Sequence, residues 1–129
     1  MLLHLSEPCI VHGNAELLQS AIENVIRNAI RYTTPDASVD IHLERQEKAD
    51  GSFILLSIRD YGVGVPESEL QNIFRPFYRV ANDRDRRSGG TGLGLAIAER
   101  IVHMHGGTIG AQNAVPQGLR VHILLPALT

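Results

Sequence analysis

Between Ala15 and Tyr32 the apolar residues Leu17, Leu18, Ala21, Ile22, Val25, Ile26, Ala29 and Ile30 recur at intervals of three and four. That period makes a long amphipathic helix, and its apolar stripe needs a partner surface. The sequence downstream supplies one. Val39, Ile41 and Leu43 alternate with Asp40, His42 and Glu44, so they form a half-buried strand. Phe53 to Arg59 is more continuously apolar and reads as a central strand. Thr108–Gln112 and Leu119–Leu125 read as two final strands, and Leu119, Val121, Ile123 and Leu125 share one face of the second. A second helix runs from Leu93 to His105 and stops at Gly106-Gly107. Cys9 to His12 reads as a short strand, Asp50-Gly51 as a turn in a loop longer than two residues, and Pro66 to Phe74 as a short helix. Helices interleave irregularly with hairpins, which predicts an α+β fold with the helices on one face of a mixed sheet. The 129 residues are expected to make a single domain, 1–129.

Composition removes several function classes. Net charge is −2 with a pI near 6.3, which gives no footprint for nucleic acid or an anionic membrane. No apolar run reaches the ~18 residues of a membrane span. Cys9 is the single cysteine, so an intrachain disulfide and a cysteine-cluster zinc site are both excluded. Eleven of the twelve basic residues are arginine. The one lysine, Lys48, precedes Ala49, and a P-loop needs Gly-Lys-Ser/Thr. The Met1-Leu-Leu-His-Leu start lacks a basic region and is expected to be the cut edge of a piece of a longer protein.

Four groups of residues carry chemistry. Asn24 and Asn28 lie one turn apart at the edge of the apolar stripe, and Arg31 and Tyr32 continue that face. Asparagine inside a helix costs a few tenths of a kcal/mol relative to alanine, so two on one edge ask for a reason. An amide oxygen is a hard ligand of the kind Mg²⁺ accepts; the alternative is that the amides bond neighbouring backbone. Asp60-Tyr-Gly62-Val-Gly64 follows the central strand. Its carboxylate can accept a hydrogen bond from an exocyclic amine, and its glycines let backbone approach a flat ring. A plain turn is the alternative. Ser88-Gly-Gly90-Thr91-Gly92-Leu93-Gly94-Leu95 enters the second helix, with Arg84, Arg86 and Arg87 upstream. Free backbone N–H groups and a helix N-terminus make an anion cradle. The dinucleotide pattern Gly-x-Gly-x-x-Gly fails here, because its third position falls on Leu95 or Ile97. Finally, Phe74-Arg-Pro-Phe77-Tyr78-Arg79 holds three of the six aromatics within five residues, either as ligand contacts or as an anchor for the loop that follows. That loop, 79–92, is polar and glycine-rich and reads as a lid. His103 and His105, two apart on a helix, face different ways and make a poor metal pair.

In order and spacing these pieces resemble the catalytic and ATP-binding domain of bacterial sensor histidine kinases, in the superfamily shared with gyrase, Hsp90 and MutL ATPases. The likeness runs from about Val11 to Pro126. Asn24 to Tyr32 resembles the N box, Asp60 to Gly64 the G1 box, Phe74 to Tyr78 the F box and Gly90 to Leu95 the G2 box. The wording of the F box and of Ser88 to Gly92 is similar to envelope-stress (Cpx-type) sensor kinases. The resemblance implies the Bergerat fold, a two-layer α/β sandwich, with ATP and Mg²⁺ as the bound pair. It implies that Asp60 binds the adenine amino group, beside Gly62 and Gly64. Asn28 would hold Mg²⁺, Asn24 would contact phosphate or metal-bound water, Arg31 would meet phosphate, and Tyr32 would pack by sugar or base. Arg79 would reach the γ-phosphate, with Asn24 the second residue at the chemistry. The backbone of Gly90, Thr91, Gly92, Leu93 and Gly94 would cradle the phosphates.

The family's last box usually reads Gly-Thr-x-Phe; Gly118-Leu119-Arg120-Val121 lacks the threonine, which implies a structural role here. The phosphoacceptor histidine and its dimerisation hairpin have no counterpart in this chain. They would lie elsewhere in a parent sensor of the inner membrane, this domain being cytoplasmic, without membrane contact of its own, and a response regulator acting downstream. The gyrase-type clamps and an anti-sigma-type serine kinase are the alternatives. The clamps carry a glutamate base where Asn24 stands, and Glu23 points about 100° away around the helix.

Overall fold

A computed structural model describes residues 2–5, 11–33, 36–78 and 93–127. The elements run β1 (Leu2–Leu5), α1 (Ala15–Tyr32), β2 (Asp40–Lys48), β3 (Gly51–Arg59), α2 (Gly94–Met104), β4 (Thr108–Asn113) and β5 (Leu119–Pro126). Two single 3₁₀ turns, Glu67–Glu69 and Asn72–Phe74, lie between β3 and α2. The strands form one sheet in the order β1-β2-β3-β5-β4. β1 runs parallel to β2 and every other pairing is antiparallel, so the sheet is mixed, as expected.

Alternation decides which face of the sheet is covered. Leu56 and Ile58 of β3 and Val121, Ile123 and Leu125 of β5 point to one side and are buried with Ile41. Against them lie Ala21, Val25 and Ala29 of α1 and Leu95, Ala98, Ile101 and Val102 of α2. The alanines let the helices approach closely. The stripe on α1 is narrower than its sequence suggests. It centres on Ala21, Val25 and Ala29, four residues apart, and Ile30 is turned out to 59% exposure.

Each end of α1 is fastened to another element. At the start, Asn14 Oδ1 accepts from Leu17 N–H at 3.0 Å, a side-chain cap. Asn14 N–H in turn donates to His105 Nε2 at 3.1 Å, and His105 Nδ1 lies 2.8 Å from the Ile101 carbonyl. An accepting Nε2 places the proton of the neutral ring on Nδ1, which donates to Ile101. Gly13 makes room: a Cβ there would sit 2.4 Å from His105 Cδ2. At the other end, Thr33 Oγ1 accepts from Tyr61 N–H at 2.9 Å.

Two expectations change, and a third is described only in part. Of the strand expected over Cys9–His12, Cys9 and Ile10 lie outside the described residues and Val11 and His12 are irregular; the described edge strand beside β2 is Leu2–Leu5. The β2–β3 connection is a two-residue turn, not a longer loop, because pairing continues to Lys48 opposite Gly51. A polar cluster accompanies the strands there: Arg45 Nε donates to Glu47 on the same strand at 2.8 Å, and Ser52 of β3 donates to that carboxylate across the pair. The helix over Pro66–Phe74 is two separate 3₁₀ turns, closed by Leu70 N–H to Glu67 and Arg75 N–H to Asn72.

Ile58 is 1% exposed on the covered face, whereas Leu55 sits half-buried on the open one. Ile58→Ala is expected to cost about 2–5 kcal/mol in urea unfolding. Leu55→Ala should cost clearly less, and equal losses would mean that both faces are packed.

Candidate functional site

Asp60 follows the last residue of β3 and is 2% exposed. Its Oδ1 accepts from Gly62 N–H and from Leu119 N–H, each at 3.0 Å, while its own N–H donates to the Leu119 carbonyl at 2.9 Å. Burial pushes the carboxyl above its ordinary value; the two amide N–H groups and the neighbouring Arg59 charge act in the opposite direction. Both hydrogen bonds fall on one oxygen. The turn after Asp60 is pressed onto α1, since a Cβ on Gly62 would lie 2.2 Å from the Tyr32 carbonyl. Gly118, at φ +105°, passes so close that a Cβ would lie 2.1 Å from the Asp60 carbonyl.

The structural role expected of Gly118-Leu119 thus has a definite form. Leu119 exchanges backbone bonds with Asp60, so the holding groups are main-chain atoms. Arg59, stacked on Tyr61 at 4.3 Å, adds hydrogen bonds from Nη2 to the Val115 and Gln117 carbonyls, both at 3.1 Å. Neither contact is marked by local spacing, because each joins residues more than fifty positions apart.

At the other end of the site, Asn24 is half-buried and its amide is divided in use. Nδ2 donates to the Ser20 carbonyl at 2.8 Å, so the backbone-bonding alternative holds for that atom. Oδ1 faces α2, where a Cβ on Gly94 would sit 3.3 Å from it. Leu93 forms the N-cap of α2 without a side-chain hydrogen bond. In contrast to α1, the first N–H groups of α2 therefore have no side-chain acceptor among the described residues. Asn28 is half-buried one turn on from Asn24, and its side chain makes no hydrogen bond with another described residue. Arg31 and Tyr32 are half-buried and already engaged in interactions. From Asn24 to Tyr32 the helix advances ~12 Å, separating the Gly94 end of the site from the Asp60 end.

The aromatic group divides. Phe74 is buried at 7%, and Tyr78 packs on the core with its hydroxyl donating to Glu69 at 2.9 Å. Burial and that bond raise the Tyr78 pKa, with a smaller contribution from nearby Tyr32. Phe77 is 72% exposed at φ +65°. The anchor reading therefore fits Phe74 and Tyr78. Arg79, Gly90, Thr91, Gly92 and the rest of the segment 79–92, expected to be a lid, lie outside the described residues. No group of three or more His, Cys, Asp or Glu able to hold a metal occurs among the described residues.

The α+β sandwich thus sets a buried aspartate beside the last turn of α1 and the start of α2 beside the middle of that helix. The chain belongs to the family described as histidine kinase-, DNA gyrase B- and HSP90-like ATPases, whose profile matches residues 13–129. Sensor histidine kinase CpxA of Escherichia coli is 43% identical over 119 residues, covering 92% of this chain and 25% of that protein. Sensor histidine kinase RppB of Synechocystis is 40% identical over 114 residues, 88% of this chain and 24% of its own length. Among solved structures, a mycobacterial sensor histidine kinase, MprB, superposes with a TM-score of 0.81 at 32% identity, covering 98% of this chain and 80% of that one. The ATP binding domain of PrrB from Mycobacterium tuberculosis gives 0.73 at 28%, over 98% and 79% of the two chains. These relatives bear out the sensor-kinase likeness over the clamp and serine-kinase alternatives, and CpxA agrees with the Cpx-type wording. The chain spans about a quarter of the length of the curated relatives. No helix among the described residues is long and apolar enough to cross a membrane.

The raised Asp60 pKa has a sign that can be tested. The folded state holds the proton more tightly than the unfolded chain, so this group's contribution to stability is present below its unfolded value near 4 and is lost as pH rises through the folded value. Asp60→Asn retains an acceptor for both N–H groups without the charge. Its stability relative to wild type should rise with pH across that window and then level off, as measured by urea unfolding from pH 4 to 8. A relative stability that falls with pH would show that ionised Asp60 is the favoured folded form.

Proposed function

We propose that this chain binds ATP with Mg²⁺ along α1 and presents the γ-phosphoryl for transfer to a histidine on a separate dimerisation domain of the same parent protein. The observation that carries the proposal is the pairing of a buried acceptor, Asp60, with the α2 N-terminus beside Asn24, ~12 Å apart along one helix. That arrangement suits a base at one end and phosphates at the other. The likeness to PrrB, whose matching region is an ATP binding domain, supports the same ligand.

In this reading Asp60 accepts from the adenine amino group through Oδ2, since Oδ1 is occupied, with the backbone at Gly62 and Gly64 against the ring. Asn28 supplies an amide oxygen to Mg²⁺, and Asn24 Oδ1 meets phosphate or metal-bound water. The amide oxygens fit a cation that takes few protein ligands and completes its shell with phosphate and water. When bound, that ion neutralises charge on the β- and γ-phosphate oxygens. Arg31 and Arg79 add positive charge, Tyr32 flanks sugar or base, and residues 90–94 donate N–H groups. The 79–92 segment closes over them as a lid. Transfer breaks the bond from the γ-phosphorus to its bridging oxygen and forms one to an imidazole nitrogen of the partner domain, leaving ADP. Nothing more than placement and charge balance is required of this domain. An amide at Asn24 cannot take a proton from water, so hydrolysis should be slow. The parent is a sensor of the inner membrane that passes the phosphoryl group to a response regulator, with this domain on the cytoplasmic side.

Calorimetry should show ATP binding that requires Mg²⁺. Asp60→Asn should lose about 10–100-fold of the preference for ATP over GTP, the worth of one buried hydrogen-bond match. Asn28→Ala should abolish the Mg²⁺ dependence while costing no more than ~1–2 kcal/mol of stability. The chain alone should take up no γ-phosphate label, and adding the dimerisation domain should place label on that domain. Rapid ATP hydrolysis by the chain alone would favour the clamp mechanism instead.

A further inference from the structure

The turn from Asp60 to Val65 is fastened at both ends to one cross-strand pair. Asn113, the last residue of β4, stands opposite Leu119, the first of β5. Leu119 holds the Asp60 end through main-chain bonds. Asn113 holds the other end through its side chain. Val65 N–H donates to Asn113 Oδ1 at 2.9 Å, and Asn113 Nδ2 donates to the Val65 carbonyl at 2.6 Å. The remaining proton on Nδ2 is directed at Glu67 Oε1, 3.3 Å away. Val65 belongs to no strand, so its two backbone groups need partners from elsewhere. A carboxamide offers an acceptor and a donor side by side in one plane, and so completes both at once. Gly64 is seated on the same amide, at φ +78°, where a Cβ would lie 2.7 Å from Asn113 Oδ1.

We propose that Asn113 is a positioning residue for base recognition: by gripping both backbone groups of Val65 it holds the Asp60–Gly64 turn in the shape that receives the purine. The proposal rests on the nucleotide reading of the site given above. Asn113 is not expected to touch the ligand. Its side chain is taken up by Val65, Glu67 and the backbone at Gly64, and removing it frees Gly64 and Val65 while the Asp60–Leu119 bonds remain. The consequence is selective. Ligands that carry the base depend on the turn, whereas a base-free polyphosphate depends on the Asn24–Gly94 end, which Asn113 does not reach.

The test compares three ligands on the whole chain: ATP with Mg²⁺, adenosine, and inorganic tripolyphosphate with Mg²⁺. Affinities are measured by calorimetry or by NMR titration where binding is weak. Asn113→Ala should weaken ATP and adenosine by tenfold or more and leave tripolyphosphate within twofold of wild type. Exchange of the Val65 amide should quicken in the same variant. Asn113→Asp keeps the acceptor for Val65 N–H and, once ionised, lacks the donor to the carbonyl. It should give an intermediate, base-selective loss, and it carries the comparison if the alanine variant does not fold. Wild-type affinities for all three ligands in both variants would overturn the proposal, as would equal weakening of the base-bearing and base-free ligands, the mark of a merely structural residue. A wild-type chain that binds neither ATP nor adenosine would instead overturn the nucleotide reading on which the proposal stands.

Discussion

The site is organised around a carboxylate that the fold removes from water. Asp60 is 2% exposed, and burying an ionisable group without partners would cost several kcal/mol. Two main-chain N–H groups offset that cost, one from Gly62 in its own turn and one from Leu119 across the sheet. For both to reach Oδ1, β5 must begin where β3 ends, and the antiparallel pairing of Arg59 with Arg120 provides that. The register of the central strands and the placement of the acceptor are therefore the same constraint. A one-residue slip would turn Leu119, Val121, Ile123 and Leu125 out of the core and carry Leu119 N–H away from Asp60.

Helix α1 converts that local constraint into a site with two ends. Its last turn is bound to the Asp60 turn through Thr33 and the close contact of Gly62 with Tyr32, and its first turn is bound to the end of α2 through Asn14 and His105. Asn24 consequently falls beside the start of α2. The distance between the Asp60 end and the Gly94 end is then a matter of helix rise alone, which is stiff. His105 contributes here from the far end of α2: its bond to Asn14 ties down the start of α1, and so the position of Asn24.

Periodicity made α1, α2 and the inward faces of β3 and β5 legible, because each has one buried face and a polar or less buried opposite one. The glycines after Asp60 read as room for backbone to approach a flat ring; the close approach seen at Gly62 is a different one, to the Tyr32 carbonyl, and it was not legible. The short Leu2–Leu5 strand was not legible: it is four residues without a distinguishing pattern, and its position depends on parallel pairing to β2. The extra length of β2 escaped for a related reason, since Glu44 to Lys48 is polar and is held by hydrogen bonding and charge rather than by burial. In the site, the asparagines on α1 and the Asp60 turn stood out because each violates a local preference. Asn113 and His105 violate none. Their partners lie 48 and 91 positions away, and only the folded topology brings them together.

This difference also explains how the site accommodates a departure from its family's usual wording. Where a threonine usually follows the last glycine, this chain has Leu119, and a hydroxyl could have served Asp60. Here the service comes from the peptide group, which any residue but proline would provide. The leucine side chain is free to turn inward, and at 5% exposure it joins the core instead. Gly118 has no such latitude, because its backbone conformation and its contact with the Asp60 carbonyl both exclude a side chain. A position whose contribution is made by main-chain atoms can change its side chain and keep its function. A position that contributes by having no side chain cannot.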